Sequence, residues 1–362
     1  MKIVIDAWRL GMEAGTSGAI YIDNLINVLS EDCDNEIHLI VANSIDNSYA
    51  DNVKIIEVKY ASDLKRRFRY QFFWVQRYVR REVEKLTPDI FISPYHHPIM
   101  FCKVKQMTIL HDLCGLGRDY KKTDKYYWRH LAMLTITGLF SNKIVPISRF
   151  TAASFKKSFP AFSHKMTEVL YNSININPQD RLASGEKDIN KIMCFAAPGT
   201  RKGFDISIDF FQSLSKIYKA HLIIKTSEAF KPEATDFAKS RLKSDSFSIV
   251  GALSDEEMAE LYHDIDFLLF PSRCEGFGYP VLESIANGVP VICSKGTPAE
   301  EILAFSQPIA ESLLVEDMLE QFRKIQGVDK GDLAIRLKAR SNDFNYASYK
   351  KLLKKVIEEY GN

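Results

Sequence analysis

The feature that most constrains the fold is an alternation, kept up along the whole chain, of short apolar stretches with longer amphipathic or mixed ones. Such alternation is typical of parallel β-strands joined by crossover helices. In the first half it predicts strands at Ile3–Asp6, Ile37–Ala42, Val53–Val58, Ile90–Ser93, Gln106–His111, Ile144–Ser148 and Glu168–Tyr171. In the second half it predicts strands at Ile192–Ala196, Ala220–Lys225, Phe247–Val250, Phe267–Phe270 and Val289–Cys293. We therefore expect an α/β fold with parallel sheets.

A polar stretch separates the two series of strands. Residues 175–190 contain Pro178 and the run SGEKD, and we interpret them as a linker between an N-terminal domain, 1–174, and a C-terminal domain, 191–344. A chain of 362 residues is long enough to give each domain its own core. A last helix is predicted over 345–362, where apolar residues recur at helical spacing, at Leu352, Leu353, Val356 and Ile357.

Composition excludes several classes of protein. The 48 Lys and Arg residues against 46 Asp and Glu residues give a formal charge of +2, so the whole chain is not a polyanion binder by composition. The start, MKIVIDAWRL, predicts a strand rather than a secretion signal, because Asp6 and Arg9 break a short apolar run. No stretch is apolar for long enough to span a membrane. The six cysteines lack paired spacing, so we expect reduced thiols and a cytoplasmic protein.

The segment Leu268–Glu283, LLFPSRCEGFGYPVLE, predicts a strand, a glycine loop and the start of a helix. The strand ends at Pro271, and Pro280 is typical of a first helical position. The loop between them contains Glu275, Gly276, Phe277 and Gly278. Its backbone N–H groups would lie at the positive end of the helix, point outward and bind phosphate. Glu283 flanks this seat, although an early carboxylate also supports a helix N-terminus by about 0.3–1 kcal/mol without any ligand.

A second loop, AAPGTRKGF, follows the first strand of the second domain and carries Arg201 and Lys202. Cleaving a sugar from a nucleoside diphosphate builds negative charge on the β-phosphate, and an enzyme without a divalent ion must stabilise that charge with cations and backbone donors. The two side chains are candidates for this role. On their own, they could equally be solvated surface charges.

Other candidate residues also follow predicted strands, where open α/β sheets bind ligands. The first such loop, RLGMEAGTSGAIYIDN, bears Gly18. The stretch FISPYHHP carries Tyr95 and His96, and TILHDL ends its strand at His111. In the second domain, VGALS carries Gly251. A glycine in such a loop can simply permit a tight turn, and a lone histidine is more often structural than catalytic.

Taken together, these stretches resemble retaining glycosyltransferases of the GT-B fold, and more narrowly glycosyltransferase family 4, whose E-x7-E signature matches Glu275 and Glu283. The resemblance implies two Rossmann-like parallel-sheet domains facing across a cleft, with the final helix crossing back to the first domain. It also implies the transfer of a hexosyl group with retention of anomeric configuration.

The same resemblance implies a role for each matching residue. Glu275 would contact the donor sugar, Glu283 the ribose hydroxyls, and Arg201 and Lys202 the diphosphate. His111 would touch the sugar from the first domain. The remaining donor-binding positions implied are Gly276, Phe277, Gly278, Gly251 beside the base, and Gly18, while Tyr95 and His96 are candidates for the acceptor. The chain departs from the family after Glu301, where a usual glycine is absent, and near Ala196, where some relatives carry an arginine.

No metal is expected. His96 and His97 are adjacent and would point in different directions, which disfavours a shared ion. Asp264 and Asp266 spell the DxD motif of another glycosyltransferase fold, but they precede the apolar strand and would lie at the opposite edge of a parallel sheet. We expect a metal-independent enzyme without a cofactor, since the nucleotide sugar is a co-substrate.

The stretch 64–85, LKRRFRYQFFWVQRYVRREVEK, combines eight basic residues with six aromatic ones. No nucleic-acid-binding module is recognisable in it. Two interpretations stay open: an ordinary surface helix packed on its domain, and a helix that touches an anionic membrane surface. In the second case the protein would be peripheral on the inner face of the membrane.

The sequence thus predicts transfer of a hexose, with mannose as the first expectation, from a nucleoside-diphosphate sugar to a saccharide or lipid-linked saccharide during surface polysaccharide synthesis. GDP-mannose is expected ahead of a UDP-sugar. Two alternatives stay open: a non-catalytic scaffold that binds a nucleotide sugar, and a sugar phosphorylase or epimerase on the same fold.

Overall fold

The computed structural model describes residues 1–12, 17–45, 48–58, 71–117, 124–174 and 190–361. The chain forms two compact units, one made of Met1–Ser173 with Ala347–Asn362 and the other of Ile174–Tyr346. Of the expected linker, residues 175–189 lie outside the described ranges, and Asn190 is the first residue of a strand.

The first unit contains a six-stranded parallel sheet in the order β3-β2-β1-β4-β5-β6. Its strands are β1 (Lys2–Asp6), β2 (Glu36–Val41), β3 (Val53–Glu57), β4 (Ile90–Ser93), β5 (Gln106–Leu110) and β6 (Lys143–Pro146). The central strands β1 and β4 are covered on both faces. Their sequences, KIVID and IFIS, are therefore almost continuously apolar instead of alternating.

The helices before the second unit are α1 (Trp8–Met12), α2 (Ser17–Ser30), α3 (π-helical over Trp74–Val79 and α-helical over Arg80–Leu86), α4 (Lys125–Phe140) and α5 (Arg149–Ser158). Short 3-10 turns lie at Cys114–Leu116 and Pro160–Lys165. Helix α3 lies in the connection from β3 to β4, and α4 lies in the connection from β5 to β6. In the sheet order, both connections run toward the β6 edge. Because such crossovers are right-handed, the two helices lie on the same face.

The second unit contains a five-stranded parallel sheet in the order β11-β10-β7-β8-β9. Its strands are β7 (Asn190–Phe195), β8 (Ala220–Lys225), β9 (Phe247–Val250), β10 (Phe267–Leu269) and β11 (Val291–Ile292). Its helices are α6 (Phe204–Leu214), α7 (Lys231–Lys239), α8 (Asp255–Asp264), α9 (Tyr279–Ala286), α10 (Pro298–Leu303), α11 (Val315–Gln326) and α12 (Lys330–Ser341), followed by a 3-10 turn at Asn342–Phe344.

The last helix, α13 (Tyr346–Gly361), begins in the second unit and continues in the first. Within the first unit, Tyr349 meets Tyr21 of α2 edge to face, with ring centroids 6.3 Å apart, and Lys355 pairs with Glu168 at 2.7 Å. The predicted fold class of two parallel-sheet α/β domains is thus confirmed.

The predicted strand at Glu168–Tyr171 is wrong. The chain here runs beside β6, with the Thr167 N–H donating to the Ile144 carbonyl at 3.0 Å and the Leu170 N–H donating to the Pro146 carbonyl at 2.9 Å. These bonds do not extend into a ladder. Leu170 is fully buried, so the apolar signal came from the packing of one side chain.

Prolines shift two other predicted boundaries. Pro290 has no N–H to donate, and β11 begins at Val291 instead of Val289. Pro280 is the second residue of α9, which begins at Tyr279.

Of the six cysteines, Cys33, Cys102, Cys194 and Cys293 are free thiols. Within the described ranges, no helix is both long and apolar enough to cross a bilayer.

Candidate active site

The candidate donor site is built by two loops at the carboxyl edge of the second sheet. One loop follows β7 and leads into α6, and the other follows β10 and leads into α9. Since β7 and β10 are hydrogen-bonded neighbours, their loops emerge side by side. This is the edge at which open parallel sheets bind ligands.

Gly203 allows the two loops to approach closely. Its φ of +66° lies in the left-handed region, and a Cβ at this position would come within 2.1 Å of the Pro271 carbonyl oxygen. Only glycine meets both conditions without moving the backbone. The chain can therefore turn into α6 directly against the β10 loop, which brings the preceding Arg201 and Lys202 to that loop.

Glu275 lies at the centre of these contacts and is only 8% exposed. Lys202 Nζ lies 2.6 Å from Oε1 and Arg201 Nη1 lies 3.1 Å from Oε2. The Ser272 hydroxyl donates to Oε1 at 2.7 Å. Burial opposes ionisation of Glu275, but the charges of Lys202 and Arg201 and these hydrogen bonds outweigh it and hold the pKa below its usual value. The carboxylate is therefore ionised at neutral pH.

Arg273 holds the cation-bearing loop in place and was missed by sequence reasoning. It makes a bidentate ion pair with Asp205 in the first turn of α6, at 2.8 and 2.6 Å, and donates to the Thr200 carbonyl at 2.5 Å. Its backbone N–H donates to the Arg201 carbonyl at 2.8 Å. A planar guanidinium suits such a fork-like arrangement. An arginine two residues before Glu275, in the same loop, was the available signal.

Glu283 lies in a different environment from Glu275, although both flank the same loop. Its Oε2 accepts a hydrogen bond from the Tyr262 hydroxyl at 2.8 Å, and Tyr262 belongs to α8. Burial raises the pKa of Glu283 above its usual value, against the effect of the Tyr262 hydrogen bond. Burial and the neighbouring carboxylate likewise raise the pKa of Tyr262. Tyr262, the partner of Glu283, carries no motif in the sequence and was not predicted.

The loop residues between the two glutamates have distinct roles. Gly278 precedes α9 with a φ of +107°, which explains the glycine there. Phe277 is only 3% exposed, and its ring packs at 5.8 Å from Phe344 and 5.7 Å from Tyr279. Its side chain therefore belongs to the core, so any donor contact at Gly276, Phe277 and Gly278 would be made by backbone groups.

Gly251, expected beside the base, lies against Glu228. A Cβ at Gly251 would come within 1.5 Å of Glu228 Oε1, and that oxygen accepts the Ala252 N–H at 3.0 Å. Lys225 donates to the Gly251 carbonyl. Glycine leaves room here for the Glu228 carboxylate, which a larger residue would displace.

Three other predicted positions show structural contacts. Glu301 lies in α10, where its carbonyl accepts from Arg340 at 2.6 Å. Asp264 pairs with Lys191 Nζ at 2.6 Å, and Asp266 accepts the Lys191 N–H at 2.9 Å. Both aspartates lie before β10, at its amino end, as the sequence predicted. The described ranges contain no group of three or more His, Cys, Asp or Glu side chains placed to hold a metal ion.

In the first unit, His111 lies in a stack of aromatic and cationic groups. Its ring stacks nearly parallel on the Tyr95 ring, with the ring centroids 4.6 Å apart. The Arg9 guanidinium carbon lies 3.6 Å from the centroid of the Tyr95 ring. His111 Nε2 lies 2.7 Å from the Pro94 carbonyl, which can only accept, so Nε2 carries the proton. Burial lowers the pKa of His111 to about 4, which makes the ring neutral at physiological pH.

Gly18 and Tyr95 come together in this cluster. A Cβ on Gly18, in the first turn of α2, would come within 2.1 Å of the Tyr95 hydroxyl oxygen and 2.9 Å of Arg9 Nη1. The glycine therefore makes room for Tyr95. Of the positions predicted in the first unit, Gly18, Tyr95 and His111 are brought together.

His96 lies beside another histidine that the sequence did not single out. Its ring meets that of His130, in α4, edge to face at 5.5 Å. Burial lowers the pKa of both, and His97 next to them has its pKa lowered to about 4 for the same reason. Among the described residues, His96 Nδ1 and His130 Nε2 are buried without a hydrogen-bond partner. These uncharged imidazoles can bind a neutral polar group.

Asp6, the last residue of β1, is hydrogen-bonded to both α1 and α3. Its Oδ1 accepts from Trp74 Nε1 of α3 at 2.9 Å and from the Trp8 N–H at 3.2 Å. Burial raises the pKa of Asp6 to about 6, in spite of these hydrogen bonds and of Arg9. Asp6 thus joins α3 to the start of α1, the helix that carries Arg9.

Known proteins share this architecture. The family described as glycosyl transferases group 1 matches residues 177–317. The O-antigen biosynthesis glycosyltransferase WclY of Escherichia coli is 27% identical over 296 residues, which are 76% of this chain and 75% of WclY. The O-antigen chain mannosyltransferase RfbU of Salmonella typhimurium is 27% identical over 216 residues, 58% of this chain and 57% of RfbU.

Solved structures extend the likeness to nearly the whole chain. Sucrose-phosphate synthase from Thermosynechococcus elongatus matches with a TM-score of 0.79 at 13% identity, over 99% of this chain and 98% of that one. Anabaena HepE in complex with UDP and glucose matches with a TM-score of 0.69 at 13% identity, over 99% of each chain. At these identities the likeness shows the fold. The group 1 domain, the O-antigen relatives and this fold together support a glycosyltransferase of the GT-B type.

Proposed function

We propose that this chain is a retaining hexosyltransferase of glycosyltransferase family 4. The observation that carries the proposal is the buried Glu275, held by Lys202, Arg201 and Ser272 at the carboxyl edge of the second sheet. Two cations, an ionised carboxylate and a glycine-rich helix start in one place suit a molecule that joins a sugar to a diphosphate.

In the proposed reaction, the bond between the anomeric carbon and the β-phosphate oxygen breaks and a bond to an acceptor oxygen forms. The acceptor hydroxyl proton passes to the departing diphosphate. Arg201 and Lys202 stabilise the negative charge on that diphosphate, and no divalent ion is needed. Their side chains are 38% and 18% exposed, so both can reach an incoming ligand. Glu275 then faces the positive charge that develops on the sugar ring.

Glu283 is proposed to bind the ribose of the donor. Tyr262 donates to its Oε2, and we assign Oε1 to a ribose hydroxyl. The backbone N–H groups of Gly276 to Gly278 are proposed to contribute at the phosphates, and the loop at Gly251 to border the base. His111 and Gly18, in the first unit, are proposed as further contacts of the donor.

For the donor, we infer GDP-mannose ahead of a UDP-sugar. Mannose is supported by the name of RfbU, an O-antigen chain mannosyltransferase. The UDP alternative is supported by HepE, whose structure contains UDP and glucose.

For the acceptor, we infer a saccharide or lipid-linked saccharide used in surface polysaccharide synthesis. The similarity to two O-antigen enzymes supports this class. Tyr95 and His96 are its proposed contacts, since the buried His96 Nδ1 suits an uncharged hydroxyl.

We further propose a peripheral position on the cytoplasmic face of the membrane. Residues 64–70 of the basic aromatic stretch lie outside the described ranges, and in the rest of it Phe73, Arg77 and Arg81 are exposed.

The test is transfer of hexose from GDP-mannose and UDP-hexoses to a short saccharide acceptor in excess EDTA, with the anomeric configuration of the product read by NMR. We expect turnover in EDTA and a retained configuration. Loss of activity that manganese or magnesium restores would contradict metal independence. Nucleotide sugars that raise the melting temperature without any turnover would instead indicate a binding scaffold.

A further inference from the structure

Helix α4 presents an apolar stripe to the surface. Trp128 is 56% exposed and Leu139 is 54% exposed, and Ala132 lies exposed between them. Eleven residues separate Trp128 from Leu139, which places them about 20° apart around the helix and about 16 Å apart along it. The three side chains therefore share one outward face of α4.

Phe101 continues this stripe beyond the end of the helix. It is 77% exposed, and its ring lies 4.8 Å from the ring of Phe140, the last residue of α4. Its φ of +52° lies in the left-handed region. A bulky residue adopts this conformation only where its surroundings enforce it, and such positions cluster at functional sites.

The surroundings of Phe101 do enforce it. Gln76 of α3 donates to the Pro98 carbonyl at 2.9 Å and accepts the Met100 N–H at 3.0 Å. The buried Gln106 side chain donates to the Ile99 carbonyl of the loop at 2.8 Å and to the Phe140 carbonyl of α4 at 3.3 Å. The loop is thus tied to both helices on this face of the sheet, and Phe101 is held outward by built contacts.

Basic residues predominate in the stretch that carries this stripe. Residues 125–167 contain seven Lys and Arg residues and no Asp or Glu, in a chain whose formal charge is only +2, although the acidic Asp124 caps α4 and Glu168 follows the stretch. Lys103 and Lys105 are exposed next to Phe101. Lys165 donates to the Gly138 and Leu139 carbonyls at 2.7 and 3.1 Å, which places a cation at the C-terminal end of α4.

We propose that the lipid-facing surface, defined as Phe101, Trp128, Ala132 and Leu139 with the surrounding basic residues, docks onto an anionic lipid bilayer. Aromatic and aliphatic side chains suit the headgroup boundary, and the cations suit anionic lipid heads. A second copy of this chain fits less well, because a symmetric interface would place like charges against each other. This proposal is related to the proposed use of a lipid-linked acceptor, but the exposed side chains and cations named above support it independently.

The proposed membrane contact differs in position from the one predicted from the sequence, which was residues 64–85. The described part of that stretch mixes signs, since Glu84 pairs with Arg80 at 2.7 Å. Because α3 and α4 lie on the same face of the sheet, Phe73 and Arg77 can lie beside the lipid-facing surface. The apolar residues that enter the bilayer are those of α4 and the Phe101 loop.

The experiment is co-sedimentation of the full chain with vesicles of phosphatidylglycerol and phosphatidylcholine, or of phosphatidylcholine alone. We expect binding to the anionic vesicles that weakens as salt rises. Phe101→Gly should weaken it about tenfold, and the double variant Trp128→Ser, Leu139→Ser at least as much. Glycine adopts a positive φ freely, so Phe101→Gly should keep or raise the melting temperature, which separates lost docking from lost folding.

Phe305→Ser is the matched control, since Phe305 is fully exposed in the second unit and should not affect vesicle binding. Hexose transfer to a soluble acceptor should be unchanged in all these variants, so failure of the docking surface is distinct from failure of the proposed reaction. The proposal is overturned if the wild type does not bind anionic vesicles, or if the Phe101 and Trp128/Leu139 variants bind as it does. A dimer that these variants dissociate, with vesicle binding unaltered, would assign the surface to a second copy instead.

Discussion

The two units place opposite kinds of polar group at the carboxyl edges of their sheets. In the second unit, Glu275 is buried but stays charged, because Lys202 and Arg201 lie within 3.1 Å of its oxygens. In the first, desolvation lowers the pKa of the buried His97 and of the half-buried His111 to about 4, so both are uncharged at neutral pH. Burial acts on both groups, and the presence of a counter-charge decides the outcome.

This difference suits two different ligands. In the second unit, Lys202 and Arg201 pair with the Glu275 carboxylate. When a donor binds, the two cations can pair with its diphosphate instead. A cluster of neutral imidazoles can donate to or accept from a hydroxyl without paying for the burial of a charge. We therefore assign the anionic diphosphate of the donor to the second unit, and uncharged sugar hydroxyls, including those of the acceptor, to the first.

The largest effect is expected from Lys202→Met. Removing a cation that stabilises the departing diphosphate should lower kcat/KM by about 10²- to 10³-fold, as the loss of a comparable transition-state contact does. Lys202→Arg should recover part of this activity. Lys324→Met is the matched control, because Lys324 also pairs with a glutamate, at 2.7 Å, but on an exposed helix. Near-normal turnover of Lys202→Met would remove this residue from the site.

The second prediction concerns pH and the histidines of the first unit. Between pH 6.5 and 4 the unfolded chain binds protons that the buried imidazoles do not, so the free energy of unfolding should fall as pH falls. For His97, which is 5% exposed, the loss is roughly 2–3 kcal/mol. Asp6 acts in the opposite direction, since its pKa is raised to about 6, but one carboxyl offsets only one imidazole.

Denaturant unfolding at several pH values between 7 and 4.5 measures this slope. His97→Gln should flatten it, whereas His221→Gln should not, because the hydrogen bond of His221 with Ser248 in the second unit is exposed to solvent. An unchanged slope in His97→Gln would show that this imidazole is already protonated in the folded state.

The third prediction separates the two glutamates. Glu283→Gln should weaken donor affinity about tenfold or more, because it loses charge-assisted hydrogen bonds worth roughly 1.5–3 kcal/mol. Glu275→Gln should lower kcat more than it changes donor affinity, as expected for a contact made chiefly in the transition state. Glu320→Gln, on the surface, is the control. Normal turnover in Glu275→Gln, with only a small change in melting temperature, would show that the segment from Glu275 to Glu283 serves only to begin a helix and has no catalytic role.

The smallest effect is expected from Arg273→Ala. Arg273 touches no substrate in this account but positions the loop of Arg201 through the Thr200 carbonyl and Asp205. Its loss should raise the donor KM about tenfold with a smaller change in kcat, since misplaced cations bind less well. Arg241→Ala removes a similar ion pair, with Asp209 at 3.0 Å, away from the site. Equal effects of the two substitutions would reduce Arg273 to a structural role.

Much of the fold was predictable because its strands are buried. Runs such as IFIS and FLL are apolar on both faces and are bounded by turn residues, so existence and order of the strands follow from the pattern. The false strand at Glu168–Tyr171 shows the limit. One buried leucine gives the same local signal as a ladder, and hydrogen bonds to a neighbouring strand are not visible in a sequence.

The candidate sites divide in the same way. Glu275, Arg201 and Lys202 were found because loops with glycine carry a local signal. Tyr262 and His130 were missed because each reaches its partner from another helix, at sequence separations that only the fold closes.

The central claim is that the cations of the second unit, and not the imidazoles of the first, hold the diphosphate. The most direct measurement is calorimetric titration of GDP and UDP, which lack the sugar, into the wild type, Lys202→Met and His111→Gln. The account predicts that Lys202→Met weakens the better-bound nucleotide by at least about tenfold, the cost of one charge-assisted contact, while His111→Gln binds as the wild type does. Equal affinity of the wild type and Lys202→Met, or a loss confined to His111→Gln, would contradict it.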